Sequence, residues 1–149
     1  MMPSRSLVDP SPIETRFGRF DAAEHAVIAF PEGMPGFEQC RRFVLLSSDS
    51  IAPVNCLHGL DTPGPSFLGV DPSLVYPDYR PVLSEADRAL LGDHNDADLV
   101  WLALVTLRAG SSGVVNLKAP VVINARRMTG LQAIQSRKQY RIAHPLRVG

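Results

Sequence analysis

Residues 99–105, Leu-Val-Trp-Leu-Ala-Leu-Val, are apolar without a break, and the chain then turns within Arg108-Ala-Gly-Ser-Ser-Gly113. An apolar run this short, followed by a glycine-rich turn, reads as a buried strand entering a hairpin. It falls far below the roughly 18 consecutive apolar residues of a membrane-crossing helix. No membrane partner is therefore expected. The rest of the chain turns often too. Its 149 residues include 13 prolines and 11 glycines, which suits short strands better than a helical bundle.

Further short strands are predicted at residues 27–30, 43–46, 54–57 and 66–70, the last stopped by Asp71-Pro72. Two more follow at 114–117 and 121–124, separated by Lys118-Ala119-Pro120. Segments 130–135 and 137–142 close the chain. Phe17 and Phe20 are out of step, which places a bend near Gly18. One helical turn is expected at 38–42. The clearest helix runs over 84–91. Ser84 is a good N-cap, Glu85 and Asp87 favour the helix dipole, and Gly92 is a natural stop. At two turns it must dock on a sheet to be stable. These elements predict a mainly β fold: a small antiparallel β-barrel-like or sandwich domain with one short helix near residues 84–91.

Residues 1–13 carry few large apolar groups among prolines and serines, and are expected to be a disordered tail. Residues 14–147 then form a single domain. The N-terminus has no apolar stretch of the kind that marks a secretory signal, so a cytoplasmic location is expected. Cys40 and Cys56 are too few for a disulfide scaffold or a zinc site.

The formal net charge is zero, but all 15 acidic residues lie at or before Asp98. Seven Lys and Arg accompany them, leaving −8. The final 51 residues carry eight bases and no acid: Arg108, Lys118, Arg126, Arg127, Arg137, Lys138, Arg141 and Arg147. Two readings fit this split. The basic third makes a surface for an acidic or nucleic-acid partner, or the two halves interleave and neutralise each other. Arg137, Lys138, Tyr140 and Arg141 mix cations with an aromatic, as single-strand binders do. Such binders use several stacking aromatics, however, and Tyr140 is the one aromatic of the last 48 residues. Direct nucleic-acid binding is not expected, and a small RNA-binding module is kept as the alternative.

No catalytic pattern stands out. Gly110-Ser-Ser-Gly113 has the wrong spacing for a nucleophile elbow, and there is no phosphate loop or dinucleotide fingerprint. His25, His58, His94 and His144 are scattered, with no metal-binding pair. His58 and Asp61 stand three residues apart, a spacing that could orient an imidazole. Asp71 and Asp78 are too sparse for a cation site. No catalytic residue, metal or cofactor is assigned, and the chain is read as a binding protein.

The densest turn signal is Phe30-Pro-Glu-Gly-Met-Pro-Gly-Phe37. It resembles the F-x-x-G-[ILM]-P-G-F signature of the flagellar assembly factor FliW family. Asn116-Leu-Lys-Ala-Pro-Val-Val-Ile-Asn124 is similar to that family's N-L-x-A-P-[IV]-[IV]-[IV]-N stretch. Leu60-Asp61, Val70-Asp71-Pro72 and Pro77-Asp78-Tyr79 stand between them, and Gly130-Leu-Gln132, Tyr140 and His144-Pro-Leu146 follow. The resemblance runs from about Thr15 to Leu146. It implies a compact β-barrel-like regulator without enzymatic activity. It also implies two cytoplasmic partners, flagellin and the carbon storage regulator CsrA, an RNA-binding translational repressor. Free FliW antagonises that repressor and permits flagellin synthesis.

Within that frame, Pro31, Gly33, Pro35, Gly36 and Phe37 are expected to form a rigid corner with Phe30 and Phe37 as core anchors. Direct partner contact is the other role open to this corner. Asn116, Lys118, Asn124, Arg126, Arg127 and Gln132 are candidate partner-binding residues. For Asn116 and Asn124, bonding to open backbone groups at turns is the other role open. For the two arginines it is a solvated face.

Overall fold

A computed structural model describes residues 13–20, 26–61, 64–109 and 113–146. Ten strands follow in chain order: β1 Ile13–Thr15, β2 Gly18–Phe20, β3 Ile28–Ala29, β4 Arg42–Leu46, β5 Asn55–Gly59, β6 Ser66–Val70, β7 Leu99–Thr106, β8 Val114–Asn124, β9 Thr129–Gln132 and β10 His144–Pro145. Among the described residues there is one α-helix, α1, which spans Glu85–Leu91. The expected tail lies outside the described residues except for Ile13, which begins β1.

Strands β3 to β9 close into a seven-stranded barrel. Neighbours from β3 to β9 pair antiparallel in chain order. The ring closes through one parallel pair, Ala29 opposite Thr129. The mainly β barrel is thus as expected, and that parallel seam is its one departure from a purely antiparallel sheet. Closure removes the free edges that an open sheet of this size would expose. Strands β1 and β2 form a separate hairpin that turns at Arg16-Phe17.

Packing follows the strand alternation. Inside the barrel lie Ile28, Phe30, Met34, Cys40, Phe43, Leu57, Leu102, Val121 and Ile123. Three smaller clusters cover the outside. The β1–β2 hairpin lays Phe20 over Val44, Leu46, Cys56 and Leu68. Val75, Tyr79 and Tyr140 cover Val70, Ala103, Val115 and Leu117. Leu91 of α1 caps Val122, Leu131 and Ala133.

The caps of α1 are those its sequence predicts. Ser84 Oγ accepts from the Asp87 N–H at 3.1 Å, and the Gly92 N–H bonds to Arg88 O. The helix docks through Leu91, which is buried, and through half-buried Leu83; Ala86 and Leu90 remain exposed. Burying one leucine is worth about 1.5–3 kcal/mol, enough to hold a helix that could not stand alone.

Strand β8 is continuous where the sequence predicts two strands. Asn116 pairs with Leu104 and Val121 with Leu102, so residues 117–120 stand opposite Ala103 alone. This large bulge absorbs Lys118-Ala119-Pro120 and shifts the alternation. Val115 and Leu117 pack outside the barrel, whereas Val121 and Ile123 pack inside. The helical turn expected at 38–42 is corrected. Residues 38–42 form a turn running into β4, because the Cys40 N–H bonds back to Phe37 O at 3.0 Å. Residues 137–142 form turns that carry Tyr140 into an outer cluster, and β9 ends at Gln132. Trp101, within the run read as a buried strand, is half-buried beside the α1 cluster.

Candidate partner-binding surface

The corner between β3 and β4 is built from consecutive turns. The Gly33 N–H bonds to Phe30 O at 2.9 Å, and the Phe37 N–H to Met34 O at 2.7 Å, with Pro35-Gly36 between them. Gly33 has φ +65° and lies against the next turn. A Cβ there would stand 2.7 Å from Glu38 Cα and 2.8 Å from Phe37 O. Only glycine satisfies both the backbone angle and the space. Arg41 clamps the corner, its Nη1 donating to Pro31 O at 2.8 Å and its Nε to Glu38 O at 3.2 Å.

Of the two expected aromatic anchors, Phe30 is fully buried and packs on Phe43 at 4.7 Å between ring centroids. Phe37 is not an anchor. It is 38% exposed and meets Phe67 edge-on at 5.7 Å. The turn at Pro35-Gly36 holds it at the barrel mouth, while Phe30 precedes the turns and points in.

The second long motif folds around its own bulge. Asn116 Oδ1 accepts from the N–H groups of Lys118 and Ala119, both at 3.0 Å. Lys118 Nζ donates to Gln135 O at 3.3 Å. Gln132 Nε2 donates to Ala119 O at 2.7 Å. Gln132 also lines an open groove of about 350 Å³ with Glu32, Gly33, Pro35, Glu38, Leu131 and Ile134. The Pro-Gly corner, Gln132 and the bulge carrying Asn116 and Lys118 therefore form one continuous surface. Its centre holds Ile134, 65% exposed, and its rim holds two carboxylates. An apolar centre with a polar rim is the usual anatomy of a protein contact.

Asn124, Arg126 and Arg127 lie at the opposite end of the β8–β9 hairpin. Asn124 is fully buried, which removes it from any interface rim. Its Nδ2 donates to Leu91 O at 2.8 Å and Asp93 O at 3.1 Å, and its Oδ1 accepts from the Arg126 N–H. It takes the backbone-bonding role and ties the end of α1 to β8. Arg126 and Arg127 are exposed, and Arg127 pairs with Asp93 at 3.2 Å.

Sequence reasoning missed three contributors. Ile134 and Glu38 sit in a segment and a turn with no distinctive pattern. Gln135 is buried and mimics a strand partner, accepting from the Val82 N–H at 2.8 Å and donating to Val82 O at 3.0 Å. A glutamine after Ala-Ile carries no sign of that.

The His58–Asp61 pair does not form. His58 Nδ1 meets Ser66 Oγ at 2.7 Å instead, and burial lowers the imidazole below its ordinary value. Asp61 is held by the N–H groups of Arg41 and Arg42 and by the Arg42 guanidinium, at 2.7 and 2.9 Å. These bonds hold its carboxyl below the ordinary range. No group of three or more potential metal ligands occurs among the described residues, and no described helix is long and apolar enough to cross a membrane.

Comparison with known proteins gives consistent matches. The family model described as FliW protein matches residues 12–146. The flagellar assembly factor FliW of Thermotoga neapolitana is 31% identical over 134 residues, spanning 89% of this chain and 90% of that protein. The protein of the same description from Desulfitobacterium hafniense is 35% identical over 134 residues, spanning 89% and 88%. A crystal structure of the flagellar assembly factor FliW superposes with a TM-score of 0.80 at 27% identity, covering 91% of this chain and 96% of that one.

Proposed function

The chain belongs to the FliW family, and from that premise we propose that it is a non-enzymatic regulator that binds flagellin and antagonises the translational repressor CsrA in the cytoplasm. Free protein relieves repression of flagellin synthesis; protein occupied by flagellin does not. The observation that supports this reading is the joining of the two long motifs into one surface. Gln132 lies in the groove of the Pro-Gly corner and bonds to the bulge of the second motif. Partner contacts are assigned to Lys118, Gln132 and Ile134 with exposed Pro35 and Phe37, framed by Asn116. Arg126 and Arg127 offer a second polar rim. Asn124 acts from within, by fixing the end of the hairpin.

Capture assays with purified flagellin and CsrA, each alone and then in competition, test the proposal. Each partner is expected to be retained, with flagellin displacing CsrA. Retention of neither overturns the reading. Ile134→Asp buries a carboxylate in any contact that covers the groove, so capture should weaken roughly tenfold or more with the thermal midpoint unchanged. Undiminished capture would move the interface elsewhere.

A further inference from the structure

Three ion pairs occur among the described residues, and just one, Arg127–Asp93, joins a base of the final third to an acid of the earlier chain. The two halves pair within one sheet, yet direct ion pairs do little to neutralise the charge split. Three of the unpaired bases, Arg137, Lys138 and Arg141, lie beside one buried ring in the chain. Tyr140 is 2% exposed. Its hydroxyl accepts from the Arg80 N–H at 2.7 Å, and its own N–H donates to Arg137 O at 3.2 Å. Arg141 follows it, tied to the bulge by the Leu117 N–H at 2.9 Å. Tyr140 thereby pins Arg80 to the turn that carries Arg137, Lys138 and Arg141. All four cationic residues are exposed, and none of them is in an ion pair. Exposed Asp78 is the one carboxylate of these two stretches. Ile142, 65% exposed, adjoins Arg141.

We propose that Arg80, Arg137, Lys138 and Arg141, with Ile142 beside them, form a docking surface for an acidic segment of a protein that also carries an apolar side chain. Unpaired like charges held together favour an oppositely charged partner and steer its approach. The apolar residue selects peptide over nucleic acid. Single-strand binders present aromatic faces to bases. Here Tyr79 and Tyr140 are buried, and Tyr76 turns its ring against Tyr140 and His144. Among the described residues of these stretches no aromatic ring is fully exposed for stacking, whereas Ile142 matches an aliphatic side chain between glutamates. This surface shares no residue with the groove beside the Pro-Gly corner, and the inference does not rest on the identity of the partners proposed above.

The test uses the full chain and three fluorescent probes: a peptide alternating glutamate and leucine, poly-L-glutamate, and poly-uridylate. Anisotropy at low salt should show the Glu-Leu peptide binding most tightly, weakening as salt rises. The triple variant R137E/K138E/R141E should lose roughly tenfold or more in affinity for it. Milder R137Q/K138Q should lose part of that affinity, and serves if the reversed variant does not fold. Arg19→Glu, on the β1–β2 hairpin and outside both surfaces, should change nothing. Ile142→Ser should weaken the Glu-Leu peptide and leave poly-L-glutamate unaffected. Tighter binding of poly-uridylate would assign the surface to nucleic acid instead. Failure of the peptide to bind, or equal binding by both patch variants and the intact chain, would overturn the proposal.

Discussion

The ring of Phe30 lies directly against Gly130, so close that a Cβ on Gly130 would stand 2.6 Å from Phe30 Cζ. Phe30 opens the Pro-Gly corner; Gly130 belongs to β9, on the far side of the barrel seam. Gly130→Ala therefore forces the ring out of its place in the core. Overpacking of this kind costs about 1–3 kcal/mol. Urea denaturation should show the loss, and F30L/G130A should recover part of it relative to the sum of the single changes. Strict additivity would show that the two residues do not share this contact.

Asn124→Ala removes the donor to Leu91 O and Asp93 O and the acceptor for the Arg126 N–H. Leaving buried backbone groups without partners costs about 1–3 kcal/mol. The loss should appear locally as well as globally. Amide exchange at the C-terminal end of α1 should accelerate more than exchange in β4 and β5. Equal acceleration in both would mean that Asn124 does not anchor the helix.

Burial lowers the His58 imidazole from its ordinary value of 6.5, so the folded chain binds its proton less readily than the unfolded chain does. The sign is then fixed. His58 costs no stability above pH 6.5. Stability declines as pH falls below that value, until the folded imidazole also protonates. His58→Asn should flatten the denaturant midpoint across this window. An unchanged slope would assign the pH dependence to other groups.

Tyr79 donates from its hydroxyl to Leu117 O at 2.6 Å, and burial, with the adjacent Tyr140, raises its phenol above the ordinary range. Tyr79→Phe should cost about 1 kcal/mol. Alkaline absorbance titrations of the intact and Y79F chains should coincide until unfolding, where the intact chain ionises one phenol more. A difference before unfolding would contradict the burial of this hydroxyl.

Much of the fold is local chemistry and can be read locally. The caps of α1, the end of β6 at Asp71-Pro72 and the turns at Pro31 to Gly36 follow from residues a few positions apart. What escapes reading depends on distant partners. The seam joins Ala29 to Thr129 across the chain, and no local pattern announces it. Strand β8 looks interrupted because a bulge with proline breaks its period, and its continuity depends on pairing with β7 and the 133–135 segment. Phe30 and Phe37 look alike in a turn-rich stretch. The turn geometry alone sends one inward and the other to the mouth. Asn124 reads as a turn residue or an interface residue, and its burial is decided by a helix more than 30 positions earlier.

The bulge in β8 also bears on changes of length in this chain. One residue of β7 faces four of β8, an odd excess, and that oddness lets one strand line the interior with Val121 and Ile123 while Val115 and Leu117 face outward. Residues 118 to 120 have no register partner on β7, so insertions and deletions there change the size of the bulge. The flanking side chains keep their own sides of the wall as long as Asn116 stays opposite Leu104 and Val121 opposite Leu102.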